Sequence, residues 1–161
     1  MASMARSLEI ADLLAVGLER FLRARLPGTI VVRTYTPFVS DDSFAAALAN
    51  SKAMLVFVVP LKKTTTLETR SEDAGDYEYR IVFAEKYTGT TVPPPNSWMD
   101  IRVSTVDAAE EQFGDARNAF ETENGQLWAQ ASEIAMIFDP EAHSTMGVFW
   151  SVWDLTLKEI A

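Results

Sequence analysis

Three stretches of this sequence have the pattern of β-strands that are apolar on both faces, and this feature limits the fold more than any other. The first, AMLVFVVP at 53–60, is apolar at nearly every position, and residues 81–84 repeat the pattern. In the last, 146–160, one face carries Val148, Trp150 and Val152 and the other carries Phe149, Trp153, Leu155 and Leu157. An antiparallel sheet with one wet face would alternate instead. These strands therefore need cover on both sides.

Two longer stretches have helical spacing. Residues 7–25 carry an apolar stripe, and Ser7 is the predicted N-cap; the stripe consists of Leu14, Leu18, Phe21 and Leu22. A second helix follows the prolines of 93–95, where Ser97 and Asp100 resemble a capping box. The alanine-rich residues 40–50 fit a short helix or a turn.

The remaining β-patterns complete the predicted fold. Strand patterns also occur at residues 29–36, 77–87 and 126–140. Residues 64–70 either extend the strand at 53–60 or form a strand of their own. The composition of 71–76 is typical of a turn. We expect one domain spanning 1–161, of α+β class. Its sheet is predicted to be mostly antiparallel and four- to five-stranded, with two long helices packed on it and a short helix near 40–50.

The helices available are too few for this sheet. Two helices of about 10 Å diameter cover about one face of four or five strands spaced about 4.8 Å apart. The other face would expose large apolar side chains, and such patches usually mark contact sites. One hypothesis is that a neighbouring subunit completes the sheet or its edge. The alternatives are helices split between the faces, or a lid formed by the proline loop and the 114–125 segment.

Charge and composition limit the function classes. The net charge is −9, with +3 in residues 1–70 and −12 in residues 71–161, which disfavours a grip on nucleic acid. There is no cysteine, the only histidine is His143, and no apolar run reaches the length of about 18 residues that a membrane span needs. The first residues lack a secretory signal pattern, so we expect synthesis in the cytoplasm and no membrane partner.

No catalytic signature accompanies this core. The segment DPEAH at 139–143 places Asp139, Glu141 and His143 at every second residue, which suits either a metal site or, more simply, a turn opened by Asp-Pro. The carboxylates of 71–76 lack the spacing of a calcium loop. No nucleophile elbow, phosphate loop or dinucleotide motif is present. We therefore expect no enzyme activity, no catalytic or metal residue and no cofactor.

The order of several motifs resembles the tail terminator, or tail-completion, proteins in the neck of long-tailed bacteriophages. These motifs are RTYTPFV at 33–39, LVFVVP at 55–60, TR at 69–70 and YEYRIVFAEKY at 77–87. The proline turn into a helix at 92–103 and the closing segment at 135–157 continue the likeness. The resemblance touches elements from about 29 to 158, whereas 114–130 departs from it.

The resemblance implies a structural virion protein that forms a homo-oligomeric, hexameric ring. Such a ring caps the tail tube and joins it to the head. The implied partners are further copies of the chain, the major tail tube protein and the head-side connector or stopper protein, with DNA passing through the lumen without specific binding. The implied location is the virion neck. Two alternatives stay open: a head-completion (stopper) neck protein, and a small α+β ligand-binding or enzymatic domain.

Interface residues follow from this interpretation. The polar segment between the strands at 53–60 and 77–87 would form a hairpin that reaches a partner and orders on assembly, at a cost of about 1–2 kcal/mol per ordered residue. The tryptophans of the last strand would add an apolar contact. The predicted interface set is Lys62, Lys63, Thr65, Leu67, Arg70, Glu72, Asp73, Trp150 and Trp153.

Overall fold

The computed structural model describes residues 4–35, 53–67, 73–118, 120–122 and 125–160. In chain order the elements are α1 (Arg6–Arg23), β1 (Ile30–Arg33), β2 (Leu55–Leu67), β3 (Asp73–Lys86), α2 (Asn96–Phe113), β4 (Phe120–Thr122), β5 (Gly125–Met136), a π-helical turn (Ala142–Met146) and β6 (Val148–Ile160). The short helix predicted near 40–50 lies outside the described residues.

Within the described residues the strands form one mixed sheet in the order β1-β2-β3-β6-β5-β4. β1 runs parallel to β2, and every other neighbouring pair is antiparallel. The predicted α+β class with a mostly antiparallel sheet is confirmed. The sheet has six strands rather than four or five, because the three-residue strand β4 pairs with the start of β5 at one edge.

Both long helices pack on the same face of the sheet. α1 contacts β1 and β2, whereas α2 contacts β5 and β6. The two helices meet where Gly17 faces Phe113: a Cβ at Gly17 would lie 3.1 Å from the Phe113 ring, so only a glycine permits this approach without displacing the ring. The expectation that two helices cover one face is therefore correct.

The main core lies between the helices and this face. Alternate residues of the central strands point into it, among them Ile81 and Phe83 of β3 and Trp153 of β6, all of them fully buried. The predicted division of the β6 side chains between the two sheet faces is confirmed, because Phe149, Trp153, Leu155 and Leu157 all belong to this core.

The opposite face of the sheet carries a second, smaller apolar cluster. It consists of Phe57, Val59, Val82, Ala84, Ala142 and Val148, with Leu55, Trp150 and Val152 packed against it. Ala142 comes from the π-helical turn, so this turn covers part of the second face. The expectation that the second face leaves its large side chains exposed is wrong for Phe57 and Val59, each only 8% exposed.

Both predicted helix caps are wrong. α1 begins at Arg6 after Ala5, and α2 begins at Asn96 after Pro95; neither N-cap residue makes a side-chain capping bond. Ser7 and Ser97 lie inside the first turns. The Arg6 guanidinium donates two bonds to the Glu159 carboxylate, at 2.9 and 2.6 Å, and this long-range contact holds the start of α1 on β6.

The structure defines strand boundaries that the sequence left open or misplaced. Residues 64–67 extend β2, which settles the two possibilities left open for that segment. β3 begins at Asp73, inside the predicted turn at 71–76. β5 ends at Met136 rather than near 140, because the chain then turns through residues 137–141 into the π-helical turn.

Candidate assembly surface

Half of the second sheet face carries no described helix or strand. Beyond the apolar cluster, β3, β6 and β5 continue with polar residues on this side, and Leu61 of β2 borders them. We call this surface the bare sheet half and define it by Leu61, Glu78, Arg80, Ala131, Glu133, Asp154 and Thr156, which line a depression of about 520 Å³. It is a broad, open surface at the middle of the sheet.

Period-two alternation places these side chains. Tyr77 and Tyr79 point to the helix side, so Glu78 and Arg80 point to the bare side. Register then aligns the rows: Arg80 lies opposite Asp154, which lies opposite Glu133. In the next row Glu78 lies opposite Thr156, which lies opposite Ala131.

The charges of the bare sheet half are only partly compensated. The Arg80 guanidinium donates to both Asp154 oxygens, at 2.8 and 3.2 Å, and this hydrogen bonding raises the pKa of Arg80 above its usual value. Glu133 lies directly opposite Asp154 on the neighbouring strand, and like charges in such a pair repel. Among the described residues no cation forms an ion pair with Glu133, so an external cation would relieve this repulsion.

The two sheet edges are each partly blocked, in different ways. At β1, the backbone N–H of Val31 donates to the Glu19 carboxylate of α1 at 3.1 Å, so a helix side chain occupies the edge. At the other side β4 covers only the first residues of β5, but β5 has register shifts at Ala129/Ala131 and Ile134/Met136. Such bulges twist an edge away from further strand pairing. Side-chain surfaces are therefore better candidates for assembly contacts than the strand edges.

The predicted interface residues of the hairpin are dispersed. Lys62 lies opposite Glu78 and points to the bare side, whereas Lys63 lies over the Tyr77 ring on the helix side, 5.6 Å from its centroid. Thr65 is exposed. Leu67 and Asp73 are backbone partners at the end of the β2–β3 pairing. Arg70 and Glu72 lie outside the described residues.

The predicted loose polar segment is mostly strand. Residues 62–67 of β2 pair continuously with 73–78 of β3, and β3 pairs in turn with β6 as far as Ala74–Ile160. Only 68–72 lie between the two strands. The proposed ordering of the whole 62–75 segment on assembly is therefore wrong, because most of it is already paired within the sheet.

The two predicted tryptophans have different environments. Trp153 is fully buried in the main core, and its indole N–H donates to the Ser132 hydroxyl at 2.8 Å. Ser132 in turn donates to the Glu110 carboxylate at 2.7 Å. Trp153 is thus a core residue and cannot contact a neighbouring subunit, which corrects its assignment to the interface. Trp150 is half-buried against the second cluster.

The DPEAH segment forms a capped turn. The Asp139 carboxylate accepts bonds from the backbone N–H groups of Glu141 and Ala142, at 2.9 and 3.3 Å. The His143 ring meets the Phe138 ring edge to face, with centroids 5.5 Å apart. Across the described part of the chain, no group of three His, Cys, Asp or Glu residues is placed to hold a metal ion.

The residues of the bare sheet half were missing from the sequence-based set. Arg80, Glu133 and Asp154 come from three strands, and only the register brings them into one row. The sequence signal that could have found them is the polar position in each alternating strand. Their mutual distances required the strand order β3-β6-β5, which the sequence did not provide.

Comparison with known proteins adds no assignment. No protein-family model matches this chain, and no curated protein sequence is significantly similar to it. None of the described helices is both long enough and apolar enough to cross a membrane. The bare sheet half and the motif resemblance are therefore the features that bear on function.

Proposed function

We propose that the chain is a structural subunit of a phage neck: a tail terminator that assembles head-to-tail into a ring on the end of the tail tube. The observation that carries this proposal is that the two faces of the sheet are covered to different extents. One face is covered by α1 and α2, and the described residues leave half of the other face bare. The two sides of the subunit thus present unlike surfaces.

Unlike surfaces favour the symmetry that a ring requires. A two-fold dimer uses the same patch twice, whereas a ring joins one patch to a different patch on the next copy. The partly blocked strand edges favour contacts through side-chain surfaces. The ring proposed here would present one end to the tube protein and the other to the head-side connector.

The charge of the chain suits a conduit for DNA. At a net charge of −9 the subunit would repel a passing duplex rather than bind it. In this proposal DNA crosses the lumen without a specific contact. The acidic α2, with Asp100, Asp107 and Glu111 exposed, contributes to this repulsion.

The test is assembly on a tail tube. The purified chain is added to polymerising tail tube protein from the genome that encodes the chain, and tube length and end structure are followed by negative-stain electron microscopy. The proposal expects capped tubes with a ring at one end and arrested growth. Tubes that grow unchanged and uncapped would overturn it.

Two other outcomes would identify the alternative functions. Binding to the connector without any effect on the tube would indicate a stopper. A small ligand or metal that raises the melting temperature, with no assembly, would indicate a binding or enzymatic domain, because a ligand selective for the native state stabilises it. A chain that stays monomeric and binds neither the tube nor the connector would overturn the ring proposal.

A further inference from the structure

The outer surface of α1 carries an apolar and basic stripe. Leu13 and Val16 are 49% and 61% exposed, and Arg20 follows on the same side of the helix. Arg20 forms no ion pair with any described residue. The neighbouring arginines are engaged: Arg23 donates to the Thr29 carbonyl, and Arg25 lies over the Phe21 ring.

The outer surface of α2 is acidic. Asp100, Asp107 and Glu111 are exposed along it, and the helix's basic residue, Arg102, is bound to Glu85. α2 therefore has the same sign of charge as Glu78 and Glu133 of the bare sheet half, and the two surfaces would repel. α1 is neutral overall, because Arg6, Arg20 and Arg23 balance Glu9, Asp12 and Glu19. On its outer stripe, however, Arg20 has the complementary charge and lies beside apolar side chains.

We infer that the α1 stripe of one copy docks on the bare sheet half of the next copy, with Leu13 against Leu61, Arg20 against Glu133, and Val16 between them above the middle strands. This inference rests on the proposed function, because it names the two surfaces through which the ring subunits would join. Arg20 supplies the cation that Glu133 lacks. The docked helix makes a third layer on the sheet.

The spacings of the two surfaces agree. Leu13 and Arg20 are seven residues apart, or about 10 Å along the helix. Leu61 on β2 and Glu133 on β5 are three strand positions apart, or about 14 Å across the sheet. The long arginine side chain spans the difference. α1 and the bare sheet half lie on opposite faces of the sheet, so the contact is heterologous.

Disulfide trapping tests the contact directly, because the chain contains no cysteine. Leu13→Cys and Leu61→Cys are combined in one chain, oxidised, and resolved on a non-reducing gel. The expected result is a ladder of covalent oligomers that ends at a closed ring. Each single variant is the control and yields at most a dimer. Absence of a ladder from the double variant would overturn the inference.

Charge exchange tests the same contact without cross-linking. Arg20→Glu and Glu133→Arg each place like charges at every contact and should weaken assembly by about tenfold or more, as measured by mass photometry. The double variant carries both changes, restores opposite charges and should recover most of the assembly. Arg117→Glu, at a side chain 89% exposed in the loop after α2, is the matched control and should assemble normally.

The outcomes separate the inference from the proposed function. Assembly that neither charge variant weakens, or that the double variant does not recover, would overturn the α1 contact while leaving the ring on the tail tube intact. A wild-type chain that caps tubes but gives no cysteine ladder has the same meaning. Failure to cap tubes together with absence of a ladder would overturn both.

Discussion

Single side chains show which charges belong to the fold and which to its surface. The Arg102 guanidinium donates to both Glu85 oxygens, at 3.3 and 2.8 Å, and lies over the Trp98 ring. These two charged side chains are only 13% and 9% exposed. Such a pair is largely shielded from water, so removing either partner has a large cost. The Arg80–Asp154 pair on the bare sheet half is 48% and 32% exposed and is screened by solvent.

This difference predicts unequal stability effects. Glu85→Ala leaves a buried guanidinium without its carboxylate and should lower the free energy of unfolding by about 3 kcal/mol. Asp154→Ala removes one partner of the exposed pair and should cost less than about 1 kcal/mol. Urea unfolding at pH 7, followed by tryptophan fluorescence, measures both. Similar losses from the two variants would contradict the assignment of Glu85–Arg102 to the core.

Tyr79 provides a pH-dependent contribution. Its side chain is 1% exposed, and its hydroxyl donates to the Ser7 carbonyl at 2.7 Å. Burial, followed by the neighbouring Tyr77, raises the pKa of Tyr79 far above its usual value. In the unfolded chain the phenol ionises near pH 10, at about its reference pKa. The native state then holds more protons than the unfolded state, so stability falls as the pH rises above 10.

Tyr79→Phe should reduce this pH dependence. The variant loses one hydrogen bond and about 1 kcal/mol of stability at pH 8. Between pH 8 and pH 10.5 its unfolding free energy should fall less than that of the wild type, because one phenol no longer titrates. Tyr77, whose pKa is also raised by burial, keeps part of the slope in both proteins. Urea unfolding at the two pH values measures the difference, and parallel losses would contradict it.

At the scale of elements, hydrophobic period was the reliable signal. The stripe of Leu14, Leu18 and Leu22 predicted the buried side of α1, and alternation predicted which residues of β6 enter the main core. The spacing of apolar residues shows which side of a helix or strand is buried, and burial of that side is what stabilises α1 and β6. The start of α1 was mispredicted because Arg6 is held by Glu159, a residue 153 positions away that no local capping pattern reveals.

The β1 edge depends on one helix side chain. Glu19 accepts the outward N–H of Val31 and lies 3.4 Å from the Arg23 guanidinium. Glu19→Ala should cost about 1–2 kcal/mol, because it leaves a buried backbone donor without its acceptor. Hydrogen exchange of the Val31 amide should accelerate. Glu111→Ala, at an exposed carboxylate on α2, is the control and should change neither; unchanged Val31 protection in Glu19→Ala would contradict the edge role.

At the scale of the whole molecule, the two ends of the second sheet face are covered to different extents. At the apolar end, the second cluster is buried within one chain, partly by the π-helical turn. Val82 and Val148 there are only 3% and 1% exposed. The sequence could not predict this cover, because residues 139–147 have no apolar period. The polar end of the same face is left bare by the described residues. Its charged rows depend on strand order and register, and neither can be read from one strand at a time.

The docking of α1 on the bare sheet half predicts a specific response to salt. Its charged part joins Arg20 to Glu133 at a partly solvated site, and screening shortens the reach of such charges from about 10 Å at 0.1 M salt to about 3 Å at 1 M. Its apolar part, through Leu13 and Val16, is not screened. Sodium chloride should therefore weaken self-association of the wild type in sedimentation velocity without abolishing it. The Arg20→Glu and Glu133→Arg variants should show the reverse, because salt relieves their repulsion. Association that strengthens with salt in the wild type would contradict the predicted attraction, because it would show that repulsion between the acidic copies, each with a net charge of −9, outweighs the Arg20–Glu133 contact.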